Sequence, residues 1–153
     1  MNLVKQIMEN PKDIRLTLIK AEQETNLSIP LAAVGVSAGF PSPADDFIEL
    51  SLDLNKELIR NPPCTFFARV SGVSMVNDGI DDGDLLIVDK SVTPYNNCLA
   101  VCFIDGEFTL KRFRKEDKEG WLIPANESYA PIRVTEDNDF RIWGVVLYVI
   151  KKM

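Results

Sequence analysis

The dipeptide Asp105-Gly106 constrains this chain more tightly than any other pair of residues. It lies between two runs rich in β-branched and aromatic residues, Leu99 to Ile104 and Glu107 to Phe113, and Asp-Gly in that setting marks a two-residue hairpin. A type I′ turn there sets the register: Ile104 opposite Glu107, Phe103 opposite Phe108, Cys102 opposite Thr109, Val101 opposite Leu110 and Ala100 opposite Lys111. The two-residue period of a strand then puts Lys111 on one face with Ala100, Cys102, Thr109 and Phe113. A lysine among such neighbours can be kept from water.

The same grammar recurs along the chain. Thr65 to Val70, Asp84 to Asp89, Trp121 to Ile123 and Arg141 to Ile150 read as strands, with Asp78-Gly79 and Asp82-Gly83 as turns. Ile14 to Lys20 alternates like a strand, and Leu3 to Glu9 is a short helical candidate. Leu54 to Arg60 reads as a short helix, with Asp53 as N-cap and Pro62-Pro63 as its stop. The charged cluster Arg112 to Glu119 reads as a solvated turn. The expected fold is mainly β with one short helix. At 153 residues, 46% of them hydrophobic, the chain can bury one real core and is too short for two comfortable domains.

A second motif carries chemistry. Ser71-Gly72-Val73-Ser74-Met75 is a small-residue turn, and the chain contains no histidine. If Ser74 is a nucleophile, its proton must go to something other than imidazole, and Ser-Lys is the arrangement to test first. A solvated lysine, with a pKa of about 10.4, is protonated at neutral pH and cannot act as a base. Burial disfavours the charged form and can lower that value by about 3 to 5 units, which makes Lys111 a candidate general base. Gly72 lets the backbone fold so that the amides of Val73 and Ser74 can face a developing oxyanion. The plainer alternatives are a solvated strand lysine beside Arg112 and an ordinary turn between strands.

Other features narrow the function. A formal charge of −6 argues against a broad phosphate-binding surface, so direct sequence-specific DNA binding is not expected. The apolar stretch Leu27 to Ala38 is broken by Pro30 and Gly35 and is too short to span a bilayer, so a soluble, cytoplasmic protein with no membrane contact is expected. Cys64, Cys98 and Cys102 lack metal or disulfide spacing and read as small buried hydrophobes. Asp78, Asp81, Asp82 and Asp84 do not match a calcium loop and read as turn residues. No cofactor and no metal is implied. Trp121 and Trp143 read as core or dimer-surface aromatics. Ser37 to Asp46 is small, proline-rich and finally acidic, the composition of an exposed, extended connection open to proteolysis.

Taken together, Ser71-Gly72-Val73-Ser74-Met75, Gly83 to Asp89, Asp105 to Lys111, Leu122-Ile123-Pro124-Ala125-Asn126, Gly39 to Asp46 and Gly144-Val145-Val146 resemble the LexA/UmuD group of self-cleaving serine peptidases. The closer likeness is to the UmuD-type branch, accessory subunits of error-prone DNA polymerases. The resemblance covers residues 37 to 150 or so. It implies a LexA/signal-peptidase-like β domain with a flexible N-terminal arm. Residues 1–38 would be the arm removed by self-cleavage, and 39–153 the peptidase domain. Ser74 falls on the family's nucleophile, Lys111 on its general base and Ala38-Gly39 on its scissile bond. The implied partners are a second copy in a homodimer, a RecA-ssDNA filament that promotes the cut, and a UmuC-type Y-family polymerase joined by the processed form. The arm is longer than is usual in that branch yet too short for a repressor's DNA-binding domain. Two other classes stay open: a non-catalytic dimeric interaction module, and a LexA- or phage-repressor-like regulator without its own DNA-binding domain.

Overall fold

The computed structural model describes residues 15–20, 28–32 and 48–153, which fall into two compact units, one holding 28–32 and 48–62 and the other 15–20 and 63–153. The helical candidate at Leu3 to Glu9, the connection Ser37 to Asp46 and the bond Ala38-Gly39 lie outside the described residues.

The larger unit is built on one antiparallel sheet of eight strands. In chain order these are β1 (Arg15–Lys20), β4 (Thr65–Ser71), β5 (Leu85–Asp89), β6 (Leu99–Ile104), β7 (Glu107–Glu116), β8 (Glu119–Ile123), β9 (Ile132–Val134) and β10 (Phe140–Ile150). Their order across the sheet is β1-β4-β5-β10-β6-β7-β8-β9. The sheet curls, so that β1 also comes against β7.

The β6–β7 register is the one that Asp105-Gly106 dictates, from Ile104 opposite Glu107 to Ala100 opposite Lys111. Asp105 and Gly106 have φ of +47° and +91°, the paired left-handed conformations of a type I′ turn. Alternate residues of β6 feed two cores. Leu99 and Val101 join Ala68, Val70, Met75, Ile80, Leu86, Val88 and Leu110 on one face; Cys98, Ala100 and Cys102 join Leu122, Val134 and Val145 on the other. Cys98 and Cys102 are buried as expected, whereas Cys64, at the end of a short turn before β4, is only half-buried. Trp143 is half-buried on the first core, its ring 5.0 Å from that of Phe66 and 6.1 Å from that of Phe108.

The smaller unit holds the hairpin β2 (Ser28–Ala32) and β3 (Ile48–Asp53), followed by α1 (Leu54–Leu58). Asp53 caps α1 by accepting from Asn55 N–H at 3.0 Å. The helix ends two residues before Arg60, because Ile59 has already turned extended (φ −116°) while its N–H still bonds Asn55 O.

Three strands were not expected from sequence. β2 contains Pro30, tolerated because a two-stranded sheet has only edge strands. β3 carries its apolar residues at 48, 50 and 52, and β9 is three residues long. The cluster Arg112 to Glu119 is solvated as read, but it is not a turn. β7 runs on to Glu116 and pairs with β8 through Arg112 opposite Ile123 and Arg114 opposite Trp121, which leaves only Asp117 and Lys118 to turn.

Candidate active site

Ser74 lies in the turn that leaves β4. Gly72 has φ +108°, a conformation that strains any L side chain, and its N–H donates to Asp82 Oδ1 at 3.0 Å, closing the turn onto the next one. Met75 is fully buried in the first core and its carbonyl accepts from Asp78 and Ile80 N–H, so the residue after Ser74 is pinned on both its side-chain and main-chain sides.

A second segment braces the turn. Ala125 N–H donates to Ser74 O at 2.9 Å and Asn126 Nδ2 donates to Val73 O at 2.9 Å. Because a trans peptide holds C=O and N–H antiparallel in one plane, fixing Val73 O also fixes the direction of Ser74 N–H. Of the two expected oxyanion amides, that of Ser74 therefore lies in the Val73–Ser74 peptide plane that Asn126 orients, while Ala125 orients the Ser74–Met75 plane that follows it. Leu122 to Asn126 belongs to the motif set of the sequence resemblance, but no spacing rule could assign Asn126 this bracing position. It becomes legible only once β8 brings the segment alongside the turn.

Lys111 comes from β7. It is 2% exposed and Ser74 is 0% exposed, and Lys111 Nζ donates to Ser74 Oγ at 3.1 Å and to Thr109 Oγ1 at 2.8 Å. Of the two sequence alternatives, the solvated lysine is thus excluded. Arg112, its neighbour, takes the exposed role and pairs through Nε with Asp78 Oδ2 at 2.9 Å, tying β7 to the segment after Ser74. Around Lys111, Ala100 and Cys102 are fully buried and Thr109 nearly so, the neighbours that the hairpin register names. An amine and a hydroxyl at this separation can pass a proton directly, with the hydroxyl donating once the amine is neutral.

The aspartates after the turn act as turn ligands and ion-pair partners. Lys151 Nζ bridges Asp81 and Asp84, each at 2.6 Å, and Asp84 also accepts from Asp81 N–H. Burial alone would push the Asp84 carboxyl up, but the hydrogen bonds from Lys151 and Asp81, with the Lys151 charge, outweigh it and hold that carboxyl below its ordinary range. Among the described residues no group of three or more His, Cys, Asp or Glu could hold a metal ion, and no helix is long and apolar enough to cross a membrane.

Ala38 and Gly39 are outside the described residues, so the site is seen here from its Ser74 and Lys111 side. A family model described as Peptidase S24-like matches residues 30–147. Protein SamA of Salmonella typhimurium is 41% identical over 138 residues, covering 90% of this chain and 96% of SamA. Protein ImpA of Escherichia coli is 42% identical over 123 residues, 80% of this chain and 83% of its own length. LexA repressor 1 of Geobacter sulfurreducens is 37% identical over 131 residues, 85% of this chain but 64% of the repressor. The resemblance to the LexA/UmuD group is thereby borne out. Since the match runs through both the turn that carries Ser74 and the strand that carries Lys111, the chain belongs to the Peptidase S24-like family.

Proposed function

We propose that this protein cuts its own backbone between Ala38 and Gly39, with Ser74 as nucleophile and Lys111 as general base. The observation that carries the proposal is the 3.1 Å separation of Lys111 Nζ from Ser74 Oγ, both buried, in a peptidase-family chain without histidine. Neutral Lys111 takes the Ser74 hydroxyl proton as Oγ attacks the Ala38 carbonyl carbon. The amides of Val73 and Ser74 receive the oxyanion. Collapse of the tetrahedral intermediate breaks the C–N bond, and the proton held by Lys111 goes to the Gly39 amine. A water, deprotonated by Lys111 in turn, then releases the Ala38 carboxylate and restores Ser74. Ala38 and Gly39 are small enough for a narrow cleft. The chain from Ala38 to Ser74 is long enough to loop back, at about 3.3 Å per extended residue. Self-presentation supplies the effective concentration that a slow catalyst needs.

The biological setting proposed is SOS mutagenesis. A RecA-ssDNA filament formed at damage promotes the cut, and the processed homodimer joins a UmuC-type Y-family polymerase. The similarity to SamA, ImpA and the LexA repressor supports this over a purely structural module. The net charge of −6 weighs against direct binding to DNA.

The test is to incubate purified protein with and without an activated RecA filament and weigh the fragments. A cut after Ala38 is expected, abolished by Ser74→Ala and slowed by at least ~10²-fold by Lys111→Ala, the usual contribution of a positioned base. Unassisted cleavage should speed up as pH rises from 7 to 10, because the neutral amine becomes more abundant. Fragments persisting in Ser74→Ala would overturn the assignment.

A further inference from the structure

The cut proposed above would sever the tether of β1 while leaving each of its contacts in place. β1 is an outermost strand of the eight-stranded sheet and pairs along its whole length with β4, from Arg15 opposite Ser71 to Lys20 opposite Phe66. Leu16 and Leu18 stand opposite Val70 and Ala68, which are 1% and 0% exposed, and Leu16 packs against the core cluster to which both belong. β1 also comes against β7, the strand of Lys111. It therefore covers a row of β4 peptide groups and an apolar seam on the strand that leads into the Ser74 turn.

In the intact chain the connection keeps β1 at an effective concentration of roughly the millimolar order. As part of a separate fragment, β1 must hold by non-covalent strand pairing, its own with β4 and that of β2 with β3 in the same fragment, and short strand pairings are marginal without a covalent tether. Once β1 leaves, β4 becomes an edge strand, its outward N–H and C=O groups a template for another strand. We infer that β4 is a strand-acceptor edge, covered by β1 in the intact chain and open after cleavage to an extended segment of a partner protein with aliphatic side chains at alternate positions. The chemistry of that segment is read from β1 itself: an antiparallel strand with two aliphatic residues, spaced by two, opposite Val70 and Ala68. Main-chain hydrogen bonds give such a strand its affinity, and the alternate side chains give it specificity. The inference rests on the proposed function only for the event that frees β1.

The edge can be tested with the full chain and without a cut. Ser74→Ala, which cannot process itself, is compared with a chain carrying Ser74→Ala and Leu18→Pro, in which β1 loses its place in the ladder. The probe is a fluorescent peptide of residues 13–22. It is expected to bind the doubly substituted chain at least tenfold more tightly than Ser74→Ala alone, and to slow amide exchange at Thr65 to Ser71. The same peptide with Leu16→Asp and Leu18→Asp is expected to bind at least tenfold more weakly. Circular dichroism checks folding. Leu16→Ser with Leu18→Ser, which loosens β1 and leaves its backbone capable of pairing, gives the same comparison should the proline variant unfold. No binding to a folded, loosened chain overturns the inference. So does protection that falls elsewhere than β4, or an uncovered edge that closes on a second copy of the chain and excludes the peptide. Because no measurement here depends on proteolysis, loss of self-cleavage in the unsubstituted chain would leave these outcomes unchanged, and the two failures are distinguishable.

Discussion

Thr109 Oγ1 stands 2.8 Å from Lys111 Nζ, nearer than Ser74 Oγ at 3.1 Å. Two residues apart on one face of β7, the threonine hydroxyl fixes where the amine sits before any substrate arrives. Thr109→Val keeps the volume and removes the acceptor. Self-cleavage is expected to slow by about 2- to 10-fold, the worth of one neutral hydrogen bond, with the fold intact. The pH–rate profile is the discriminating measurement: it should shift if Thr109 acts on the amine and stay fixed if it serves packing alone.

Asn126 should behave as a positioning residue. Asn126→Ala removes the donor to Val73 O, freeing the peptide plane whose N–H belongs to Ser74. Cleavage is expected to fall by about 10-fold while thermal stability drops by ~1 kcal/mol or less, since the lost bond is exposed. Loss of stability in full proportion to loss of rate would refute a positioning role.

Gly144 sits where β10 slips register against β6, between Ile142 and Gly144. A Cβ there would come within 2.6 Å of Val88 Cγ1 and 3.4 Å of Asp89 O. Val88 is fully buried and cannot swing aside. Gly144→Ala is therefore expected to cost about 1–3 kcal/mol by overpacking, visible as a lower melting temperature in calorimetry. An unchanged melting temperature would mean that β10 can move away from β5.

The pair Asp84 and Lys151 sets an acid limit. With its carboxyl held below the ordinary range in the folded state, Asp84 contributes stability that is complete above the unfolded carboxylate value, about 3.9, and is lost as pH falls through the lower folded value. Lys151→Met removes the first favourable partner, so acid unfolding should begin at higher pH than in the unsubstituted chain. Circular dichroism across pH 2 to 6 measures it, and coincident curves would show that Lys151 contributes nothing.

Cys102 should be inert. Burial, with Cys98 adding to it, pushes its thiol up to about 12, so almost no thiolate exists at pH 8. Iodoacetamide is expected to label half-buried Cys64 first and to reach Cys102 only in urea, as read by mass spectrometry. Rapid labelling of Cys102 in the folded chain would show that the second core opens.

The local grammar of the sequence was enough for much of the sheet. Asp105-Gly106 fixed the β6–β7 register because a two-residue loop with two positive φ values admits one pairing, and that pairing put Lys111 among Ala100, Cys102 and Thr109. Asp53 as a cap was equally legible, because capping involves a residue and a backbone amide two positions away. β2 was missed because Pro30 argues against a strand unless the strand lies at an edge, and edge position is not a local property. The inner parts of β7 and β8 were legible, but the outer end of their ribbon, from Arg114 to Gly120, was missed because an exposed charged stretch has no apolar face to announce a strand.

By itself, then, the sequence determined which residues could do chemistry: a serine in a glycine turn, a lysine on a shielded strand face, and no imidazole to compete. The tertiary structure decided that these two meet, that Thr109 and Asn126 hold them, and that β1 covers the edge of β4. The physical reason is range. Turn chemistry and strand period act over a few residues and are written in the local chain, whereas a 3.1 Å contact between residues 74 and 111 depends on how the whole sheet curls around its two cores.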